Sequence, residues 1–380
     1  MMAGLAFTNA RVVTADSVVD AAVRVSDGLI TEVNGSSGSA QEIDLGGDYL
    51  LPGFVELHTD NLEKHFAPRP GVSWPPVPAA LAHDAQIAAA GITTVFDALA
   101  VGDLNENSGR LKNLENMSAA LREARERNLM RADHMIHLRC EVSHSRAVEI
   151  FSDHVEASDV RLVSLMDHTP GQRQFTNMDA YKIYYQGKYG MTDQELACFI
   201  EQKRESQKRY SAPHREAIVA ECRARGITMA SHDDATIEHV DEAVSNGVTI
   251  AEFPTTVESA SSAHQAGLGV LMGAPNLVLG GSHSGNVSAM ELARRNVLDI
   301  LSSDYVPSSM IQGVFLLWQS GAKKNLCDAV ATVSTTPSRS VGLTDRGEIA
   351  AGKRADLVQV SMHEDTPSVV AVWRAGKRVI

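Results

Sequence analysis

Apolar and polar positions divide the chain into three stretches of different texture. Up to residue 50, short extended runs alternate with tight turns. Leu5-Ala6-Phe7-Thr8-Asn9-Ala10-Arg11-Val12-Val13 is followed by Ala21-Ala22-Val23-Arg24-Val25, a turn at Ser26-Asp27-Gly28, and a further run at Leu29-Ile30-Thr31-Glu32-Val33. Gly35-Ser36-Ser37-Gly38-Ser39 reads as a loop. The C-terminus has the same character, with Ala355-Asp356-Leu357-Val358-Gln359-Val360 ahead of Val369-Val370-Ala371-Val372-Trp373. Matching ends around a long middle predict one small β-sandwich domain formed by both termini, residues 1–50 and 345–380.

Residues 51–344 alternate differently. Apolar runs end at His58, Leu99, Val142, Asp167, His232, Phe253, Gly273 and Asp304, and helical stretches separate them. Ala88-Ala89-Ala90-Gly91 reads as a helix end with a glycine cap, and Met117 to Leu129 as a helix rich in Ala, Leu, Arg and Glu. Dense charge over Asp193 to Arg225 predicts two outer helices separated near Pro213. Eight strands alternating with helices predict an α/β fold, a (β/α)8 TIM-like barrel.

Composition narrows the function. The 380 residues are 44% hydrophobic with a formal charge of -13, which suits a globular protein and argues against nucleic acid or an anionic membrane as partner. An anionic substrate would need local cations or metal. The four cysteines are scattered without a CxxC, and Met1-Met2-Ala3-Gly4 has no signal-peptide character. No apolar run is long enough to span a membrane. These features predict a cytoplasmic enzyme with reduced cysteines, expected to assemble as a homo-oligomer of undetermined order.

In such barrels functional residues stand at the C-terminal ends of strands. His58 and Asp60 follow the first strand, Glu141 the third, Asp167 and His168 the fourth, His232 the fifth and Asp304 the eighth. Each alone has a duller explanation, as a satisfied polar residue or a helix cap. Caps arising independently would rarely place imidazole or carboxylate at so many strand ends. A nitrogen and oxygen set without cysteine suits one or two divalent ions, zinc, manganese or iron. Glu141 could bridge two ions, and Asp304 could take a proton from water acidified by a cation. Lys64, His65 and Arg69 are either cations facing an anionic substrate or exposed loop charges. Arg173 is a further phosphate candidate. Gly280-Gly281-Ser282-His283-Ser284-Gly285 either brings backbone N–H groups and His283 to phosphate or forms a flexible loop.

With these residues in view, the chain resembles the amidohydrolase superfamily over nearly its whole length. Leu51-Pro52-Gly53-Phe54-Val55-Glu56-Leu57-His58 and Gly352-Lys353-Arg354-Ala355-Asp356-Leu357-Val358 are typical of it. The stretch from Glu56 through His65 to Gly71, then His83-Asp84-Ala85-Gln86 and Ala89 to Leu99, is more specific. It resembles the diphosphatases of the carbon–phosphorus lyase pathway of phosphonate degradation. That resemblance implies hydrolysis of a phosphorylated sugar, α-D-ribose 1-methylphosphonate 5-triphosphate, to the 5-phosphate plus pyrophosphate. It implies metal ligands at His58, Asp60, Glu141, His168, His232 and Asp304, with Asp304 catalytic. A polyanionic substrate gives Lys64, His65, Arg69, Arg173 and His283 a purpose as binding residues.

Two departures leave the number of metals open. The usual first-strand pair is two histidines, whereas here the second is Asp60, and the usual sixth-strand histidine is replaced by Ala251-Glu252-Phe253. Glu141 is preferred as the bridging ligand, with Lys182 as the alternative. The competing hypotheses are a metal-dependent amidase or deaminase acting on a C–N bond, and a barrel without metal serving as a scaffold. A scaffold has no use for clustered carboxylates, which repel one another without cations.

Overall fold

Two eight-stranded sheets organise the computed structural model, which describes residues 4–34, 40–103, 109–156, 159–173, 191–282 and 285–380. The first sheet draws on both ends of the chain. Strands β1 (Leu5–Val13), β2 (Val18–Ser26), β3 (Leu29–Val33), β4 (Gln41–Asp44) and β5 (Tyr49–Pro52) are joined by β14 (Leu357–His363), β15 (Thr366–Arg374) and β16 (Lys377–Arg378). The order is β16-β15-β14-β5-β1-β2-β3, with β4 also on β1. The expected sandwich thus takes the form of one continuous sheet that curls back on itself. Ile30 N donates to Lys353 O at 2.8 Å and Ala355 N to Gly28 O at 2.9 Å, which returns the β3 edge to the segment ahead of β14. Phe7, Leu45, Leu50 and Trp373 fill the fold, with Phe7 edge-on to Trp373 at 4.9 Å.

Chain passes from this sheet to the barrel at Gly53. A Cβ there would lie 2.3 Å from Thr93 Oγ1 and 2.9 Å from Asp356 Cβ, so only glycine fits. The barrel strands are β6 (Phe54–Thr59), β7 (Ile92–Val101), β8 (Asp133–Glu141), β9 (Val160–Met166), β10 (Thr228–His232), β11 (Ile250–Glu252), β12 (Gly269–Gly273) and β13 (Ile300–Ser302), all parallel and in sequence order. Every residue of β7 is buried, as expected of a parallel strand covered on both faces. The seam between β13 and β6 closes at the top through a parallel bridge of Thr59 to Asp304. Lower down, Val333 O accepts from Val55 N and Thr332 O from Leu301 N. Val55, Leu57, Phe96, Leu162, Ala230, Ile250, Leu271 and Ile300 plug the interior.

Helices α1 (Asn61–Phe66), α2 (Pro76–Ala89), α3 (Gly109–Glu126) and α4 (Ala147–Val155) follow the first strands. Where Pro213 predicts two helices, the structure has one of 33 residues, α5 (Asp193–Arg225), from a Thr192–Glu195 capping box to Gly226 in the left-handed region. Proline removes only one helix donor. Around it Ser206 Oγ donates to Ser143 O (2.7 Å), Ser211 Oγ to Asp167 Oδ2 (3.0 Å) and His214 Nδ1 to Val142 O (3.2 Å), fastening both halves to the barrel.

Candidate active site

Above the apolar plug lies a layer of buried polar groups centred on Glu252, the last residue of β11. Its Oε1 accepts from His58 Nδ1 at 3.1 Å, and its Oε2 from His232 Nδ1 at 3.1 Å and the Ser164 hydroxyl at 2.6 Å. Burial raises a carboxyl, but here the His58 and His137 imidazoles and the hydrogen bonds outweigh it and hold Glu252 well below the usual range. His137, beneath, donates Nδ1–H to Leu57 O at 3.0 Å, and burial pushes it down to about 3.

A second group shares His232. His168 Nε2 and His232 Nε2 each lie 3.6 Å from Asp233 Oδ2, too far for a hydrogen bond. That oxygen is buried and has no hydrogen-bond partner among the described residues. Ligand atoms about 2.1 Å from a tetrahedral zinc ion stand about 3.4 Å apart, so the spacing suits a shared cation. Burial holds His232 below its ordinary value and thus neutral, as a ligand must be. Burial would also lower His168, but Glu141 and Asp233 pull it up to about 9; a cation in place of that proton would satisfy the same carboxylates. The donor set fits a divalent metal.

Glu141, at the end of β8, accepts from His168 Nδ1 at 2.7 Å and from Ser143 Oγ at 2.6 Å. Its bond to Nδ1 orients the His168 ring. Asp60 and Asp304 meet at the rim. Asp60 N donates to Asp304 O and Asp304 N to His58 O, both at 3.1 Å. Asp233, Phe253 and Asp304, just past β10, β11 and β13, all have positive φ, at 57°, 53° and 53°. Non-glycine residues adopt this conformation at a cost, and strain of this kind clusters at functional rims.

The expected binding residues stand outside this buried layer. Lys64 is exposed, its Nζ donating to Tyr305 O. His65 Nε2 sits 3.0 Å from Gln86 Oε1, between α1 and α2, and Arg69 is an exposed loop residue. Arg173, expected at phosphate, is buried and turned inward, donating to Asp234, to Glu242 Oε2 at 2.8 Å and to His232 O at 3.3 Å. A buried guanidinium needs carboxylate partners, and the two it has leave it braced inside the wall. Asp167 holds α5 through Ser211 and Gln207, so His168 is the member of that pair that joins the site. Lys182 and His283 lie outside the described residues. Glu252, Asp233 and His137 escaped the sequence reading. The doublet Asp233-Asp234 directly after His232 was the one available signal.

A model of the amidohydrolase family matches residues 85–379. The chain is 48% identical over 373 residues to the α-D-ribose 1-methylphosphonate 5-triphosphate diphosphatase of Escherichia coli (strain K12), covering 98% of this chain and 99% of that protein. Among solved structures, N-isopropylammelide isopropylaminohydrolase from Burkholderia multivorans ATCC 17616 superimposes with a TM-score of 0.66 at 14% identity, over 100% of this chain and 98% of that one. N-acetylglucosamine-6-phosphate deacetylase from Pasteurella multocida superimposes at 0.60 and 15%, over 99% of both chains. At such identities the likeness shows the fold.

Proposed function

The chain belongs to the amidohydrolase family, and from that premise we infer that it is a metal-dependent hydrolase converting α-D-ribose 1-methylphosphonate 5-triphosphate to the 5-phosphate and pyrophosphate. The observation that carries the reading is the 48% identity, over nearly its whole length, to a diphosphatase of that substrate. The His168, His232 and Asp233 set supports the metal dependence. Four free cysteines support a reducing compartment such as the cytoplasm.

When bound, a divalent cation of the zinc, manganese or iron type supplies Lewis acidity toward phosphoryl oxygen and makes nearby water more acidic. Residues of the chain do the positioning. Glu252 takes the Nδ1–H of His58 and of His232, so Nε2 of each is the nitrogen that would hold a metal. Glu141 fixes His168 in the same way through Nδ1. Asp304 accepts a proton from the attacking water. The water oxygen bonds to the phosphorus nearest the sugar, the bond from that phosphorus to the bridging oxygen breaks, and its electron pair leaves with pyrophosphate. Lys64 and Arg69 give the outer rim exposed positive charge toward an incoming polyanion.

Phosphorus NMR of zinc- or manganese-loaded protein with the ribosyl triphosphate tests the reading. Pyrophosphate and the 5-phosphate should appear together. Asp304→Asn should fold normally and lose about 10²- to 10⁴-fold in turnover, the range for a general base. Release of orthophosphate alone, or turnover confined to cyclic amides or N-acyl compounds, would overturn it.

A further inference from the structure

Strand β8 aims three side chains into the barrel in succession, His137, Arg139 and Glu141, while Leu138 and Cys140 between them pack in the main core. The outer two of the three are engaged: His137 with Leu57 and Ser164, Glu141 with His168 and Ser143. Arg139 is not. It is half-buried, no hydrogen bond or ion pair engages its guanidinium among the described residues, and its Nε is buried without an acceptor. Its register neighbours are Ala100 and Ser164, both small. It stands between His137 and Glu141 on the inward face of β8, one step below the carboxylate that meets His168, and its charge is felt at His232 and Asp233. Other arginines of this wall are paired: Arg173 with Asp234 and Glu242, Arg215 with Glu242.

A partly desolvated cation without a partner is costly, and one next to a site for metal cations is doubly so. Both costs vanish when an anion lies between the guanidinium and the metal. A planar guanidinium fork matches two oxygens of one phosphoryl group. We propose that Arg139 grips the non-bridging oxygens of the phosphoryl group under attack, an assignment that rests on the diphosphatase reading above. Arg139, and not Arg173, is then the arginine of this wall that meets the substrate.

The test compares Arg139→Gln and Arg139→Lys with the wild type as metal-loaded proteins. Metal content should be equal in all three. Arg139→Gln should lose about 10²- to 10³-fold in kcat, as for removal of one transition-state donor, with KM changed far less. Arg139→Lys keeps the charge without the fork and should recover no more than about a tenth of wild-type kcat. Calorimetric titration with inorganic pyrophosphate should show at least about tenfold weaker binding to Arg139→Gln. Wild-type kcat in both variants, or unchanged pyrophosphate affinity, overturns the proposal. Should Arg139→Gln fail to fold, Arg139→Lys decides alone, and full activity in it counts against the fork. Should the wild type not cleave the triphosphate, the diphosphatase reading fails but the titration still judges Arg139: lost pyrophosphate binding keeps it as an anion-binding residue, and equal binding removes it.

Discussion

Glu252 illustrates how a single residue can invert a local reading. At the strand end where the superfamily usually has a histidine this chain has a glutamate, which from sequence counts as a missing ligand. In the structure its two oxygens hold His58 from β6 and His232 from β10, and so set the tautomer of both. Glu252→Gln should therefore cost metal affinity, by about 10- to 100-fold as for other partners of ligating histidines. Chelator competition measures this, and turnover at saturating metal should fall much less. Unchanged metal affinity would make Glu252 a packing residue. The sequence held no sign of this role, because β11 is only three residues long and the side chains that bond to Glu252 among the described residues come from other strands.

Among the elements, α1 is the one that leads directly out of the barrel rim after β6, and a buried relay of side chains ties it down. Asn61 Nδ2 donates to His83 Nδ1 at 3.0 Å, His83 Nε2 to Asp97 Oδ1 at 2.7 Å, His134 Nδ1 to Asp97 Oδ2 at 2.7 Å and His134 Nε2 to Asp84 Oδ1 at 3.3 Å. One consistent set of protons runs through it. His83 is neutral, kept low by burial, whereas His134 lies between two carboxylates. Burial would lower His134, but Asp97 and Asp84 raise it from 6.5 to about 9. The folded value lies above the unfolded one, so the stability it confers is complete below about pH 6.5 and is lost as pH rises through about 9. The imidazole of His134 should titrate near pH 9 by NMR, and Asp97→Asn should bring that midpoint down. The melting-temperature advantage of wild type over Asp97→Asn should narrow between pH 6.5 and 9. A His134 midpoint already near 6.5 in the wild type would contradict the relay. His83 and Asp84 were visible in sequence only as part of a motif. Their partners on β7 and β8 became evident only when α2 was packed against those strands.

The molecule as a whole joins its terminal sheet to the barrel through Asp133, at the start of β8. Arg346 and Arg374 reach its two oxygens at 2.9 and 2.7 Å, and Arg354 joins them. Burial would raise this carboxyl, but the three guanidinium groups hold it below its ordinary value. Asp133→Ala should destabilise the protein by about 2–3 kcal/mol, somewhat less than the loss of a fully buried ion-pair partner because the groups are partly solvated. Urea denaturation measures this. Since the folded value is the lower one, the stabilisation holds above about pH 4, and the gap between wild type and variant should close as pH falls below that. Equal midpoints at pH 7 would show that the apolar contacts alone hold the sheet in place. Sequence alone determined the strands, their alternation with helices and the polar residues at their ends, because hydrophobic period and chain punctuation are local properties. Tertiary structure decided the partnerships: Glu252 with His58, 194 residues away, Asp233 with His168, Arg173 turned into the wall and Arg139 left unpaired among the described residues. Those depend on the register and closure of eight strands, and a side chain's own neighbours in sequence carry no record of what the closed barrel brings opposite it.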